Sequence, residues 1–386
     1  MRPVHFVPNN DIQLLESGIA LFPAMLAAID TARNDVFFET YIWGSDDIGS
    51  SVEEALVRAA RRGVRVRVVL DWFGTGRRTA TRLRMRFAEA GVRYRVFNPW
   101  FKRGVTRTHR KLAVIDGDVA FVGGINCNDD WFRDYGPATR LPAPRWDFAV
   151  EVRGPLVAQI HLEMQVQWAR VGHLGIVNRI NLFREMRKAE PPGGDTPMLA
   201  AFVVRDNLRN RHTIQRAYLH AIGRAKKSVL LANPYFAPGH KFRRALAMAA
   251  KRGVEVRLLI GVGEIWLQDM VARSFYPKLL ASGVQVIEYR KTQLHAKVAV
   301  IDDDWSTVGS SNCDGLSLFL NQEANVVVRD HAFAASVRAH IERGMADGVL
   351  VHKDDFAHVG WIRRTGYEVA YLLYKLTMRI FAIGYA

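Results

Sequence analysis

Apolar residues recur at helical spacing across Ser51–Arg62, where Val52, Ala55, Leu56, Ala59 and Ala60 form one stripe that Gly63 closes. The β-branched run Val64–Leu70 follows and reads as a buried strand. Phe87–Ala90 ends a further helix at Gly91, and Val92–Phe97 reads as the next strand. Leu112–Ile115 and Val119–Val122 read as strands joined by a turn at Asp116-Gly117-Asp118. The same succession returns as a helix over Phe242–Lys251 and strands over Val254–Ile260, Val284–Tyr289, Val298–Ile301 and Ser306–Val308. Alternating helices and strands predict an α/β fold of mixed β-sheets with helices on both faces.

The recurrence extends to the residues themselves. Ala60-Arg61-Arg62-Gly63-Val64 is echoed by Ala250-Lys251-Arg252-Gly253-Val254, and Ala90-Gly91-Val92 by Ser282-Gly283-Val284. Ordered matches at a near-constant offset predict two copies of one domain. We place the first repeat at residues 1–190, the second at 191–345 and a separate tail at 346–386. The link falls at Glu190-Pro191-Pro192-Gly193-Gly194-Asp195, a cluster that neither helix nor strand carries inside it.

Charge adds a direction. The 54 Lys and Arg against 38 Asp and Glu leave +16, which favours a polyanionic partner, either nucleic acid or an anionic membrane surface. Arg61–Lys111 alone holds fourteen Arg and two Lys against Asp71 and Glu89. With 49% apolar residues the chain is no disordered tail, and two cysteines cannot build a disulfide framework. Cys127 and Cys313 read as small buried fillers.

The chemistry lies in a motif that occurs twice. His109, Lys111 and Asp116 with Asn126 form one copy; His295, Lys297 and Asp302 with Asn312 form the other. Residues i and i+2 of a strand share a face, so each His and Lys point into the same space, while Arg110 and Ala296 point away. The two aspartates fall at strand ends and suit the anchoring of a turn. Two His, two Lys and two Asn converging across an interface would make a cationic, donor-rich pocket for a phosphodiester, with Asn126 and Asn312 on its oxygens. One imidazole would attack phosphorus to give a phosphohistidine, and the other would protonate the leaving oxygen and then deprotonate the acceptor. A nucleophilic imidazole needs a carboxylate on its other ring nitrogen; Asp147 and Glu323 are the candidates, unless they are ordinary surface carboxylates. Asp302-Asp303-Asp304 reads as a turn beside a cationic site, so no metal is assigned.

At these residues the chain resembles the phospholipase D superfamily, and closely its bacterial cardiolipin synthase branch. Thr108-His109-Arg110-Lys111, Gly123-Gly124-Ile125-Asn126, Trp146-Asp147, Asn233-Pro234-Tyr235-Phe236-Ala237-Pro238-Gly239, Leu294-His295-Ala296-Lys297 and Leu320-Asn321-Gln322-Glu323 carry the likeness. The resemblance implies two pseudo-twofold-related domains with the motifs meeting at their interface, and a reaction without metal or cofactor. It supports Asp147 and Glu323 as histidine-orienting residues and His109 as the nucleophile. It also implies a phosphatidyltransferase taking phosphatidylglycerol and a second polar lipid at an anionic membrane. A hydrolytic phospholipase D and a metal-independent nucleic-acid phosphodiesterase are the alternatives; nucleic acid is not the expected partner. The chain resembles the shorter type, without an N-terminal transmembrane pair.

No stretch is apolar for the roughly 18–20 residues of a spanning helix. In the tail, Val369, Leu372, Leu373, Leu376, Ile380 and Ile383 recur at helical spacing, with Tyr367, Tyr371, Tyr374 and Tyr385 among them. Such a helix docks on the protein's own core or lies in a membrane interface. With a lipid substrate the expectation is the second, on the cytoplasmic side of the cell membrane and without a span.

Overall fold

The computed structural model describes residues 4–134, 139–172, 198–207, 209–357 and 359–381. The Glu190–Asp195 cluster and the tail residues Ile383 and Tyr385 lie outside them. Two compact units emerge, and they are not consecutive halves. The first comprises Met1–Asp130 and Ala149–Phe202, the second Trp131–Phe148 and Val203–Ala386. A single cut near residue 190 would leave Trp131–Phe148 with the first repeat; its contacts put it in the second unit.

The strands of the first sheet are β1 (Asp11–Glu16), β2 (Asp35–Thr40), β3 (Arg65–Asp71), β4 (Arg93–Phe97), β6 (Lys111–Ile115), β7 (Val119–Gly123) and β8 (Phe148–Arg153), with a short β5 (Lys102–Val105) before the first motif. Their order is β1-β8-β7-β6-β2-β3-β4. Strands β2, β3 and β4 run parallel, while β6 lies antiparallel to β2, and β7 to β6. Alternate residues of β2 serve opposite faces. Phe38 joins the cluster formed with Leu21, Met25 and Ile29 of helix Ser17–Thr31 and with Val52 and Leu56 of helix Asp47–Arg61. Phe37 meets His161 of helix Leu156–Val171 edge-on. Cover on both sides is why β2 and β6 are buried along their whole length.

The second sheet takes β9 (Leu199–Arg205), β10 (Ser228–Asn233), β12 (Glu255–Gly261), β13 (Gln285–Tyr289), β14 (Val298–Ile301), β15 (Trp305–Gly309), β17 (Glu323–Arg329) and β18 (Val349–Leu350). Its order, β9-β17-β15-β14-β10-β12-β13-β18, repeats the first sheet strand for strand and adds β18 at one edge. Two-residue β11 (Phe236–Ala237) pairs with β16 (Cys313–Asp314), as Trp43 pairs with Cys127 in the first unit. Both cysteines are buried, and burial pushes both thiols up.

Predicted elements fall where patterned, with shifts at their ends. The helix expected from Ser51 starts at Asp47, because the Asp46 side chain accepts from Gly49 N at 2.8 Å and caps it. The arginine-rich run is partly spent inside the first unit. Arg82 and Arg86 pair with Glu53, Arg62 donates to Ile29 O, and Arg95 lies over the Trp168 ring. The tail is a helix, Trp361–Phe381, seated on helix Trp266–Ala281. Its buried side carries Ala370 and Met378, with Tyr371 edge-on to Phe275, while Val369, Leu372, Leu373, Leu376 and Ile380 stay exposed. No helix among the described residues is long and apolar enough to cross a membrane.

Arg110, fully buried, pairs with Glu39 at 2.8 Å and Glu163 at 2.9 Å, and the Thr108 hydroxyl also donates to Glu39. Breaking such a buried pair leaves an uncompensated charge, so Arg110→Met should destabilise the fold by about 3–5 kcal/mol. Adding Glu39→Gln should recover part of that. Denaturant melts of the two variants measure both, and a loss below about 1 kcal/mol for Arg110→Met would rule out a structural role for the pair.

Candidate active site

In the first unit the motif straddles the start of β6. Thr108 and Arg110 turn to Glu39, so His109 and Lys111 turn to the opposite side. There the Tyr41 ring meets His109 edge-on at 4.8 Å and Lys111 Nζ lies 5.2 Å from its centroid. Lys111 Nζ also donates to His109 O at 2.7 Å. His109 and Lys111 are buried, as is Asn126 beyond β7.

The aspartates of the motifs serve the backbone. Asp116, with φ at 53°, accepts from the amides of Arg33, Asn34 and Asp35 at 2.7–2.9 Å. Asp302, with φ at 52°, does the same for Lys226, Lys227 and Ser228 at 2.7–3.1 Å. Each ties the β6–β7 or β14–β15 turn to the loop before the sheet's central strand, which fixes the height at which the motif strand starts. Asp303 and Asp304 of the acidic run pair outward with Lys227 and Arg329.

The second unit shows how an imidazole is held. His295 Nδ1 lies 2.6 Å from Asp147 Oδ2, and both side chains are buried. Asp147 reaches it because its segment pairs with the chain leading into the second motif. Trp146 N donates to Gln293 O and His295 N to Trp146 O, each at 2.9 Å. The Trp146 ring stacks on Tyr289 and meets Phe148 edge-on, which locks the segment. Phe148 N donates to the other Asp147 oxygen at 2.8 Å. An acceptor-only carboxylate fixes the proton on Nδ1 and leaves the Nε2 lone pair for chemistry. Lys297 Nζ donates to His295 O and lies 2.7 Å from His295 Nδ1 and 3.5 Å from Asp147 Oδ2, so ammonium, imidazole and carboxylate form one buried cluster. Burial lowers the Lys297 pKa, against which Asp147, Asp134, Glu323 and Glu264 hold its proton.

Glu323, at the start of β17, holds the same repeat position as Asp147 before β8. Within its unit it accepts from the Ser310 hydroxyl. Asn312 is buried, its carboxamide oxygen without a hydrogen-bond partner among the described residues. The motif reading missed Asp134 and Arg145. These pair at 2.6 Å, buried, and bring an Asp134 oxygen within 3.6 Å of His295 Nε2. No spacing rule could have found them, since their partner lies some 150 residues along the chain.

The family profile described as "Cardiolipin synthase, PLD-like domain" matches residues 25–135 and 218–345. Cardiolipin synthase B of Escherichia coli K12 is 38% identical over 342 residues, 86% of this chain and 80% of that protein. Probable cardiolipin synthase YwiE of Bacillus subtilis is 31% identical over 95% of this chain and 72% of its own length. Among solved structures, phosphatidylserine synthase of Haemophilus influenzae superposes with a TM-score of 0.70 at 12% identity, covering 98% of this chain and 95% of its own. At that identity the likeness speaks for the fold.

A titration follows from the second unit. Asp314, which caps helix Gly315–Phe319, is pushed up to about 7 by burial and then by Glu323, against the Ser317 amide and Lys297. Its folded pKa lies above its unfolded one, so the native state holds a proton that the unfolded chain releases. Stability from this group is therefore lost as pH rises from about 4 to about 7. Asp314→Asn keeps the cap and should gain over wild type at pH 8, by on the order of 1 kcal/mol more than at pH 4. Thermal melts at the two pH values decide it; an equal difference at both would mean Asp314 titrates normally.

Proposed function

Because the chain belongs to the phospholipase D-like cardiolipin synthase family, we propose that it transfers a phosphatidyl group from phosphatidylglycerol to a second polar lipid through a phosphohistidine. The observation that carries the reading is the buried His295–Asp147 pair with Lys297 beside it, repeated in sequence by His109 and Lys111. His109 attacks phosphorus with its ring nitrogen, an N–P bond forms and the bond to the leaving glycerol oxygen breaks. His295 protonates that oxygen, then takes the proton of the acceptor hydroxyl as it displaces the histidine. Lys111, Lys297, Asn126 and Asn312 supply positive charge and donors to the phosphoryl oxygens. Asp147 and Glu323 are the orienting carboxylates, while Asp116 and Asp302 hold the motif turns.

A lipid, rather than a nucleic acid, is favoured by where apolar surface is left open. Leu372, Leu376 and Ile380 of the tail helix are each more than half exposed, and Trp266, Leu267 and Leu316 are exposed in the same unit. An apolar cavity of about 250 Å³ there is lined by Phe236, Ile265, Val271, Leu373 and Met378. In the first unit Phe73, Trp100 and Phe101 are exposed, with Arg77 over Trp100 and Arg107 over Phe73. Aromatic rings interleaved with guanidinium groups suit the head-group layer of an anionic bilayer. Attachment is peripheral, at the cytoplasmic face.

Lipid mass spectrometry after incubation with phosphatidylglycerol, with and without a second lipid, should show cardiolipin. Phosphatidic acid alone would make the protein a hydrolase. His109→Ala and His295→Ala should each remove nearly all turnover, and losses from a pair acting as a unit should not add. More than about a tenth of wild-type turnover in either would contradict a two-histidine mechanism. Turnover should persist in excess chelator; loss restored by one divalent ion would count against the lysine-based field. For attachment, neutralising the exposed Arg77, Arg78 and Arg84 should weaken binding to anionic vesicles, as should added salt. Vesicle binding indifferent to both would remove the electrostatic part.

A further inference from the structure

A cavity of about 360 Å³ with polar and apolar walls lies beside the second motif, built entirely from the second unit. Among its lining residues are Tyr235, Glu264, Gln293, Arg133 and Arg290. Gln293 immediately precedes Leu294-His295, and Glu264 stands in the loop after β12. Gln293 is buried and Glu264 half-buried, and each has polar atoms unused. Glu264 Oε1 and both the amide nitrogen and oxygen of Gln293 have no hydrogen-bond partner among the described residues. An unused buried polar atom costs about 1–3 kcal/mol, so three in one cavity point to an absent polar guest.

The chemistry of the walls selects the guest. Burial pushes the Glu264 carboxyl up, with Asp134 adding to it, against Tyr235, Gln293 and Lys297. Arg133, Arg273 and Arg290 line the cavity alongside Asp269; Arg273 and Arg290 also pair with Glu288, and the three guanidinium groups together suit a phosphodiester. A carboxyl and an amide side by side offer acceptors and donors together. A vicinal diol presents the complementary set, two hydroxyls that each donate and accept.

We propose that this cavity is the acceptor subsite, with Glu264 and Gln293 on the diol of a phosphoglycerol head group and Arg133 and Arg290 on its phosphate. This deepens the phosphatidyl-transfer reading and rests on it. The residues are positioning and specificity-determining groups. They hold the diol so that its terminal hydroxyl attacks the phosphohistidine; the O–P bond forms, the N–P bond breaks, and the hydroxyl proton passes to the other imidazole. A filled subsite also keeps water from the same phosphorus, so it sets the partition between transfer and hydrolysis.

The test uses the full chain on phosphatidylglycerol vesicles, with cardiolipin and phosphatidic acid quantified by mass spectrometry. Glu264→Ala should lower the ratio of cardiolipin to phosphatidic acid about tenfold or more. Gln293→Leu, a change of similar size that keeps the test open if the first variant misfolds, should lower it in the same direction. A parallel reaction with deuterated glycerol separates the sources of the diol. Loss of label incorporation along with cardiolipin means the site reads the diol alone; loss of cardiolipin only means it also needs the lipid's phosphate. Either result supports the subsite. A wild-type ratio in both variants, or a proportional fall of both products, would overturn it. A wild-type protein that makes neither cardiolipin nor labelled phosphatidylglycerol would instead overturn the transferase reading, before any variant is compared.

Discussion

A carboxylate buried against an imidazole is stable only if its own oxygens are engaged, and both oxygens of Asp147 are, one by the imidazole and one by backbone. Phe148 N takes one Asp147 oxygen, His295 Nδ1 the other, and the strand-like pairing of Trp146 with Leu294 sets the distance. Much of the second unit can be read as support for this geometry. Trp146 stacks on Tyr289, and a Cβ at Gly344 would come within 2.6 Å of the Trp146 ring, so the helix His331–Ala346 can approach only with glycine there. The turn anchor Asp302 and the neighbouring β14–β15 hairpin hold the other end of the motif.

The two units reach similar motif geometry by different means. In the first, the face of the strand opposite His109 and Lys111 is locked by a buried ion pair, Arg110 with Glu39 and Glu163. In the second, Ala296 takes the place of Arg110 and is fully buried. There the charge lies on the motif's own face, where Lys297 is surrounded by carboxylates that offset its burial. A repeat can therefore keep its strand order and its His-x-Lys alternation while exchanging which side of the strand carries the charge.

Local features were legible in the sequence because their signals are local. Period-two alternation put His and Lys on one face, the near-constant offset exposed the duplicated sheet, and Asp116 and Asp302 read as turn anchors from their position at a strand end. The membership of Trp131–Phe148 in the second unit was not legible, since pairing between Trp146 and Leu294 leaves no trace in either neighbourhood. The same holds for Asp134, Glu264 and Gln293, lone polar residues whose meaning comes only from what folding packs against them. The charge count was legible but its use was not. Arg82, Arg86, Arg95 and Arg110 look alike in a basic run, yet packing spends these four on Glu53, Trp168 and Glu39, while Arg77, Arg78 and Arg84 stay exposed.

On the proposed mechanism, His295 is expected to react because Asp147 fixes its proton on Nδ1. The direct measurement is turnover of a short-chain phosphatidylglycerol by Asp147→Asn, with a thermal melt to confirm the fold. An amide can donate to Nδ1 and so favours the other tautomer, for which a fall of about 10²-fold or more is expected with the melt little changed. Wild-type turnover in a folded Asp147→Asn protein would contradict the account.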